Sequence, residues 1–247
     1  MSEITVEAPG AELSALVRGR GPGVVLVHGL GADGSVWAPV AAALDAEATV
    51  VTYDRRGYGA SGRPAPYGST SAAEQAEDLM AVIAATLPEA PVVGAAEIGA
   101  LACLDVIVRH PGLIRAAVLV DPPLFALVPT ATEALAAERA GLEAALARGG
   151  PEEAVQQWLG TRGAGPEQIA RARPAAVAFF ADYAGLASWP VSRRTLRELD
   201  VPLAVLSSAG APAHVRAAAD ALGALIPGAR REHRGDVASA LRALVAA

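Results

Sequence analysis

Pro91-Val92-Val93-Gly94-Ala95-Ala96-Glu97-Ile98-Gly99-Ala100-Leu101-Ala102-Cys103 is the stretch that decides the fold. Pro91–Gly94 reads as a short buried strand, and Ile98–Arg109 as a helix whose first turn is built from small residues. Between them lies a sharp, glycine-flanked turn. A turn of this kind lifts one side chain above the edge of a parallel sheet.

The same alternation continues outward in both directions. Val24–Val27 is an apolar run too short for a helix and flanked by glycines, so it is a buried strand. Ala48–Tyr53 is the next strand, and Ser71-Ala72-Ala73-Glu74 has the capping-box spacing that opens a helix to about Leu87. Ala116–Val120 and Val201–Ser207 are further strands, with Arg230–His233 a short last one. Helices are expected at Val36–Leu44, Ala213–Leu225 and Asp236–Ala246, and Ile4–Glu7 with Leu13–Arg18 forms an opening hairpin. Regular strand–helix alternation predicts an α/β fold, a mainly parallel sheet with helices on both faces. From Leu124 to Leu199 no strand is legible. Residues 1–123 and 200–247 are therefore expected to form the core, and 124–199 a helical cap inserted over the sheet's carboxyl edge.

Composition narrows the chemistry. The net charge of -6 argues against nucleic acid or an anionic membrane as partner. No apolar run approaches the about 20 residues of a membrane helix. The acidic N-terminus lacks a signal peptide's basic start and apolar centre, so a cytoplasmic location is expected. Every basic residue is arginine, which removes lysine Schiff-base chemistry, pyridoxal phosphate attachment and a P-loop lysine. Cys103, the single cysteine, reads as a packed core thiol, and no Cys/His cluster has zinc-site spacing. No metal or organic cofactor is indicated.

Three motifs, in this order, carry a resemblance. His28-Gly29 follows a strand, Asp54-Arg55-Arg56-Gly57-Tyr58-Gly59-Ala60-Ser61 fits a D-x-R-G-x-G-x-S turn, and Gly94–Gly99 has the layout of a G-x-S-x-G nucleophile elbow. With these the chain resembles the α/β-hydrolase superfamily over nearly its whole length. The resemblance implies a nucleophile at position 96, where this chain has alanine, with Ile98 in place of the second glycine. It implies oxyanion donors at the N–H groups of Leu30 and Glu97, the latter at a helix start. It also implies a histidine after the last strand, for which His233 stands, though without the usual Gly-His pair. The acid that orients it is expected at Asp121, because the loop after Val201–Leu206 holds no carboxylate. Asp121 can equally pin the Pro122-Pro123 turn, and His233 can be a surface residue of an Arg-rich turn.

Glu97 carries two readings, a first-turn helix acid or an acid–base group in a closed pocket. His28 reads as an orienting residue beside the oxyanion loop, close to substrate. Trp158, Phe179 and Trp189 of the cap are candidates for lining an apolar pocket, or for the cap's own packing. His214 and His110 read as surface residues at helix ends.

The expected function is therefore that of a hydrolase-fold enzyme acting on a small, mainly apolar carbonyl compound. If Ala96 stands in for a serine, the reaction is hydrolysis of an ester, thioester or lactone. If the chain is naturally without a nucleophile, the expected chemistry is acid–base work such as cyclisation, elimination or isomerisation. A third reading is a binding-only pseudoenzyme.

Overall fold

The computed structural model describes residues 1–186, 189–233 and 235–247. Its centre is two strands buried on both faces, β3 (Gly23–Val27) and β5 (Val92–Ala96). Their valines and small residues leave room for helices above and below. Around them lie β1 (Ser2–Ala8), β2 (Ala11–Gly19), β4 (Thr49–Tyr53), β6 (Ala116–Val120), β7 (Leu203–Ser207) and β8 (Arg230–His233), in the order β1-β2-β4-β3-β5-β6-β7-β8. The β1–β2 and β2–β4 pairings are antiparallel and the others parallel. This is the α/β architecture expected from the alternation, in the α/β-hydrolase form that the resemblance implies.

The helices are α1 (Ala38–Leu44), α2 (Ala72–Thr86), α3 (Ile98–Arg109), α4 (Thr132–Thr161), α5 (Pro166–Ala172), α6 (Ala176–Gly185), α7 (Arg193–Arg197), α8 (Ala213–Leu225) and α9 (Val237–Val245). The capping box of α2 forms as its spacing predicts: Glu74 N–H donates to Ser71 Oγ, and Ser71 N–H donates to the Glu74 carboxylate. Helix α3 buries Ile98 through Ile107, because the sheet lies on one side and α2 on the other. Cys103 sits in that core, where burial pushes its thiol up, as a packed and inert group.

Among the described residues, the segment between β6 and β7 is helical and contributes no strand. Ala187 and Ser188, inside the stretch expected to be a cap, lie outside the described residues. The segment packs on the loop after β3: Leu30 joins a buried cluster with Leu142, Val155, Trp158, Leu159 and Phe179. A break at Gly150, with φ 79° and ψ -172° ahead of Pro151, folds α4 back on itself. None of the described helices is long and apolar enough to cross a membrane.

Strand order fixes where a site can be. The chain leaves β3 toward β4 on one side, while β5 lies on the other. The loops after β3 and β5 therefore separate, and a crevice opens at the carboxyl ends of the strands. Leu30 comes from the first loop and Glu97 from the second.

Candidate functional site

The turn after β5 is strained at Glu97, with φ 48° and ψ -119°. A non-glycine residue held there costs about 1–3 kcal/mol, which surrounding structure must offset. Ala96 is the last residue of β5, paired with Val120 of β6, and is not the apex. This corrects the expected frame by one residue. The reason lies at Gly99: a Cβ there would come within 2.8 Å of Val27 Cγ1 and 2.9 Å of the His28 carbonyl oxygen. Gly99 thus provides the close approach of α3 to β3, and the residue two places before it is raised. Ile98, which stands where the resemblance expects the second glycine, is fully buried.

The Glu97 carboxylate accepts a hydrogen bond from Leu30 N–H at 2.6 Å. Gly29 makes room for it, since a Cβ at Gly29 would lie 2.5 Å from Glu97 Oε2. Burial pushes the Glu97 carboxyl up to about 7; the Leu30 N–H and the Arg162 charge oppose the shift, and Asp121 adds to it. The expected pair of oxyanion donors is not formed. Glu97 N–H donates to the Val120 carbonyl at 2.9 Å, and Leu30 N–H is engaged by the Glu97 side chain.

The loop bearing Leu30 is set by a buried network. Arg55, fully buried, donates to the carbonyls of His28 and Gly29 at 2.9 Å each, and to Asp182 of α6 at 2.6 Å. Tyr58 O–H donates to the same Asp182 oxygen at 2.7 Å. His28 Nε2 accepts from Arg55 N–H, and burial together with the Arg55 charge holds its ring well below the ordinary histidine range. Neutral and sealed, His28 orients the loop and does not reach the cavity, which corrects its expected place beside substrate. Asp54 accepts the N–H groups of Gly34 and Ala60, as its turn requires.

Glu97 and Ala96 open into a cavity of about 500 Å³ between the sheet edge and the helical segment. Its walls include Leu30, Trp37, Asp121, Phe125, Trp158 and Leu159, and also Glu138, Arg162 and His214. Asp121 is the second non-glycine residue with positive φ, at 50°, and accepts Ser208 N–H at 3.1 Å. Burial raises its carboxyl above the ordinary range. Both strained side chains thus line one cavity. Of the expected lining residues, Trp158 is on its wall. Phe179 is fully buried behind Trp158, with ring centroids 5.1 Å apart. Trp189 lies elsewhere, donating its indole N–H to Asp105 at 2.8 Å and lining a separate apolar cavity.

His233 does not reach the cavity, nor does it bond to Asp121. It is still within β8, in register with Ser207, so its side chain points across the α8 face of the sheet. There it is 64% exposed, 3.8 Å from Asp220, with the Arg231 guanidinium beside it. A histidine in a loop beyond the strand would be free to turn over the sheet edge; one inside the edge strand is not.

Sequence reading passed over Glu138 and Arg162 and set His214 at the surface. Arg162 pairs with Glu138 at 2.6 Å and lies 3.5 Å over the Trp158 ring, whose N–H also donates to Glu138. In one straight helix these two residues would be about 36 Å apart. The Gly150 break brings them together. His214, expected at the surface, is 13% exposed and faces Phe125 and Glu138. Among the described residues no group of three His, Cys, Asp or Glu side chains is placed to hold a metal ion.

A mainly parallel sheet with a strained turn after its fifth strand, opening under a helical layer, defines a hydrolase-type scaffold. The chain belongs to the alpha/beta hydrolase family, whose model matches residues 24–242. It is similar to the uncharacterized hydrolase YraK of Bacillus subtilis, 33% identical over 124 residues, 50% of this chain and 46% of that protein. It is also similar to the putative carbamate hydrolase RutD of Rhizobium rhizogenes, 37% identical over 112 residues, 44% of this chain and 42% of that protein. The chain thus spans under half the length of these curated relatives. Among solved structures, an alpha/beta hydrolase from Sphaerobacter thermophilus superposes with a TM-score of 0.73 at 27% identity, covering 98% of this chain and 99% of that one.

Proposed function

We propose that this protein performs acid–base chemistry on a small, mainly apolar carbonyl compound, with Glu97 as the proton donor and no covalent nucleophile. The observation that carries the reading is the Glu97 carboxyl itself: raised on the strained turn, bonded to Leu30 N–H, and pushed up to about 7 in a largely apolar cavity. A carboxylic acid still protonated near neutrality can donate to a carbonyl oxygen, and a group with that pKa serves well as a general acid. The bond from Leu30 N–H to one oxygen leaves the other to carry the proton toward the substrate. Helices 124–199 act as the cap that keeps water away from this transfer.

Serine-type hydrolysis fits the site less well. The apex carries glutamate, Leu30 N–H is already engaged, and His233 stands outside the cavity.

The test is exchange of α-protons for deuterium in D2O, followed by proton NMR across a panel of short aliphatic ketones and diketones. Wild-type protein should accelerate exchange, with a rate that falls as pH rises through about 7 and the acid loses its proton. Glu97→Gln should abolish it. Failure of the wild type to exchange any of the panel, or exchange retained in Glu97→Gln, would overturn the proposal.

A further inference from the structure

If Glu97 supplies a proton, another group must remove one, and the resemblance-based candidate, His233, is in the wrong place. We infer that His214 is the base of this site, oriented by Glu138 of the opposing helical segment. The inference rests on the acid–base reading above.

Three observations place His214 in this role. It lines the same cavity as Glu97, at the start of α8, on the loop that leaves the carboxyl end of β7. That loop is tied to the elbow region by the bond from Ser208 N–H to Asp121. His214 Nε2 is buried and has no hydrogen-bond partner in the protein, although such groups are paired in the great majority of cases. Glu138 Oε2 lies 3.7 Å from that nitrogen, while Glu138 Oε1 is held by Arg162 and the Trp158 indole. The carboxylate is thus fixed with one oxygen facing the ring. An imidazolium formed at His214 is stabilised by Glu138, and the Phe125 ring at 5.5 Å limits its rotation. Trp37 Nε1, also on the cavity wall and without a partner, offers a neutral donor to the same ligand.

The step balances without a co-reactant. His214 Nδ1, the ring nitrogen that does not face Glu138, takes a proton from the carbon next to the carbonyl while Nε2–H is held toward the Glu138 carboxylate, and that C–H electron pair becomes the C=C bond. The carbonyl π pair moves to oxygen, which takes the proton of the Glu97 carboxyl. The products are an enol, an imidazolium and a carboxylate. Return of both protons, with the carbon proton delivered from the imidazolium, regenerates the acid and the base. In a substrate with a neighbouring C=C bond, delivery to the far carbon of the dienol gives an isomer; delivery after exchange with solvent gives the deuterated ketone.

The charged groups facing His214 are Glu138 and Arg162 from α4, and Asp121 and Glu97 across the cavity. His214→Ala should lower the exchange rate by about 100-fold or more, the range for losing a general base. Added imidazole should restore part of that rate in His214→Ala and do nothing for Glu97→Gln. A fold defect could not produce that split. Glu138→Gln should slow exchange, and the double variant Glu138→Gln/His214→Ala should be no slower than His214→Ala alone, because Glu138 acts through the ring. His233→Ala serves as the control and should exchange at the wild-type rate. Exchange that survives in His214→Ala while Glu97→Gln is dead would overturn the role of His214 and leave the acid intact. A double variant much slower than His214→Ala would overturn the pairing. No exchange by the wild type would overturn both readings together.

Discussion

Replacing Glu97 by glutamine should make the protein more stable, and only at high pH. In the folded chain the Glu97 carboxyl is pushed up to about 7, chiefly by burial; in the unfolded chain it returns to about 4.5. Between these values the folded state holds a proton that the unfolded state has released. Folding must then take up a proton, so the stability the neutral acid permits falls as pH rises from about 4.5 through about 7, then levels off. At about 1.4 kcal/mol per pK unit, the ceiling on that loss is about 3 kcal/mol. Glutamine keeps an acceptor for Leu30 N–H and has no proton to lose. The variant should match wild type near pH 5 and exceed it by up to about 3 kcal/mol near pH 9, a shift of roughly 6–12 °C in melting temperature for a chain of this size. Asp54 and Asp78 are also raised by burial, but they are common to both proteins and cancel in the difference, while the Asp121 charge is already among the causes of the Glu97 shift. Urea unfolding of both proteins across this pH range measures it. A difference that is independent of pH, or that favours wild type in alkali, would refute the reasoning.

Other perturbations have equally definite outcomes. Arg55→Ala leaves Asp182 charged and fully buried without its partner, and should cost about 3–5 kcal/mol in urea unfolding; a loss below about 1 kcal/mol would mean the network does not hold the Leu30 loop. Gly99→Ala must push α3 away from Val27 and the His28 carbonyl, at about 1–3 kcal/mol, and a neutral result would return the elbow frame to question. Ala96→Ser should fold normally and stay unlabelled by a fluorophosphonate, because the strained apex is residue 97 and His233 lies outside the cavity. Strong labelling would restore the reading in which Ala96 replaces a serine.

Much of the architecture was legible because it is written locally. The valines of β3 and β5 have no amphipathic period to satisfy, the Ser71–Glu74 box opens α2, and α3 runs from Ile98 to Arg109 as its residues predict. Alternating strands and helices then leave few ways to build a sheet, and the family follows from three turns in order. The site did not yield in the same way. Gly94 and Gly99 are one residue too far apart for a single elbow, and nothing local tells which of them sets the frame. Contact of Gly99 with Val27, seventy-two residues away, makes that choice and raises Glu97 in place of Ala96. His233 stood for the histidine that the resemblance expects after the last strand, yet pairing with Ser207 holds it inside an edge strand. Glu138, Arg162 and His214 stood in ordinary helical surroundings, with no spacing to join them. A break at Gly150 and the return of α8 under the helical segment bring them around one cavity. Backbone preference acts over a few residues and can be read from the chain; a side chain's charge state and partners depend on what the fold packs against it, and only the tertiary structure supplies that.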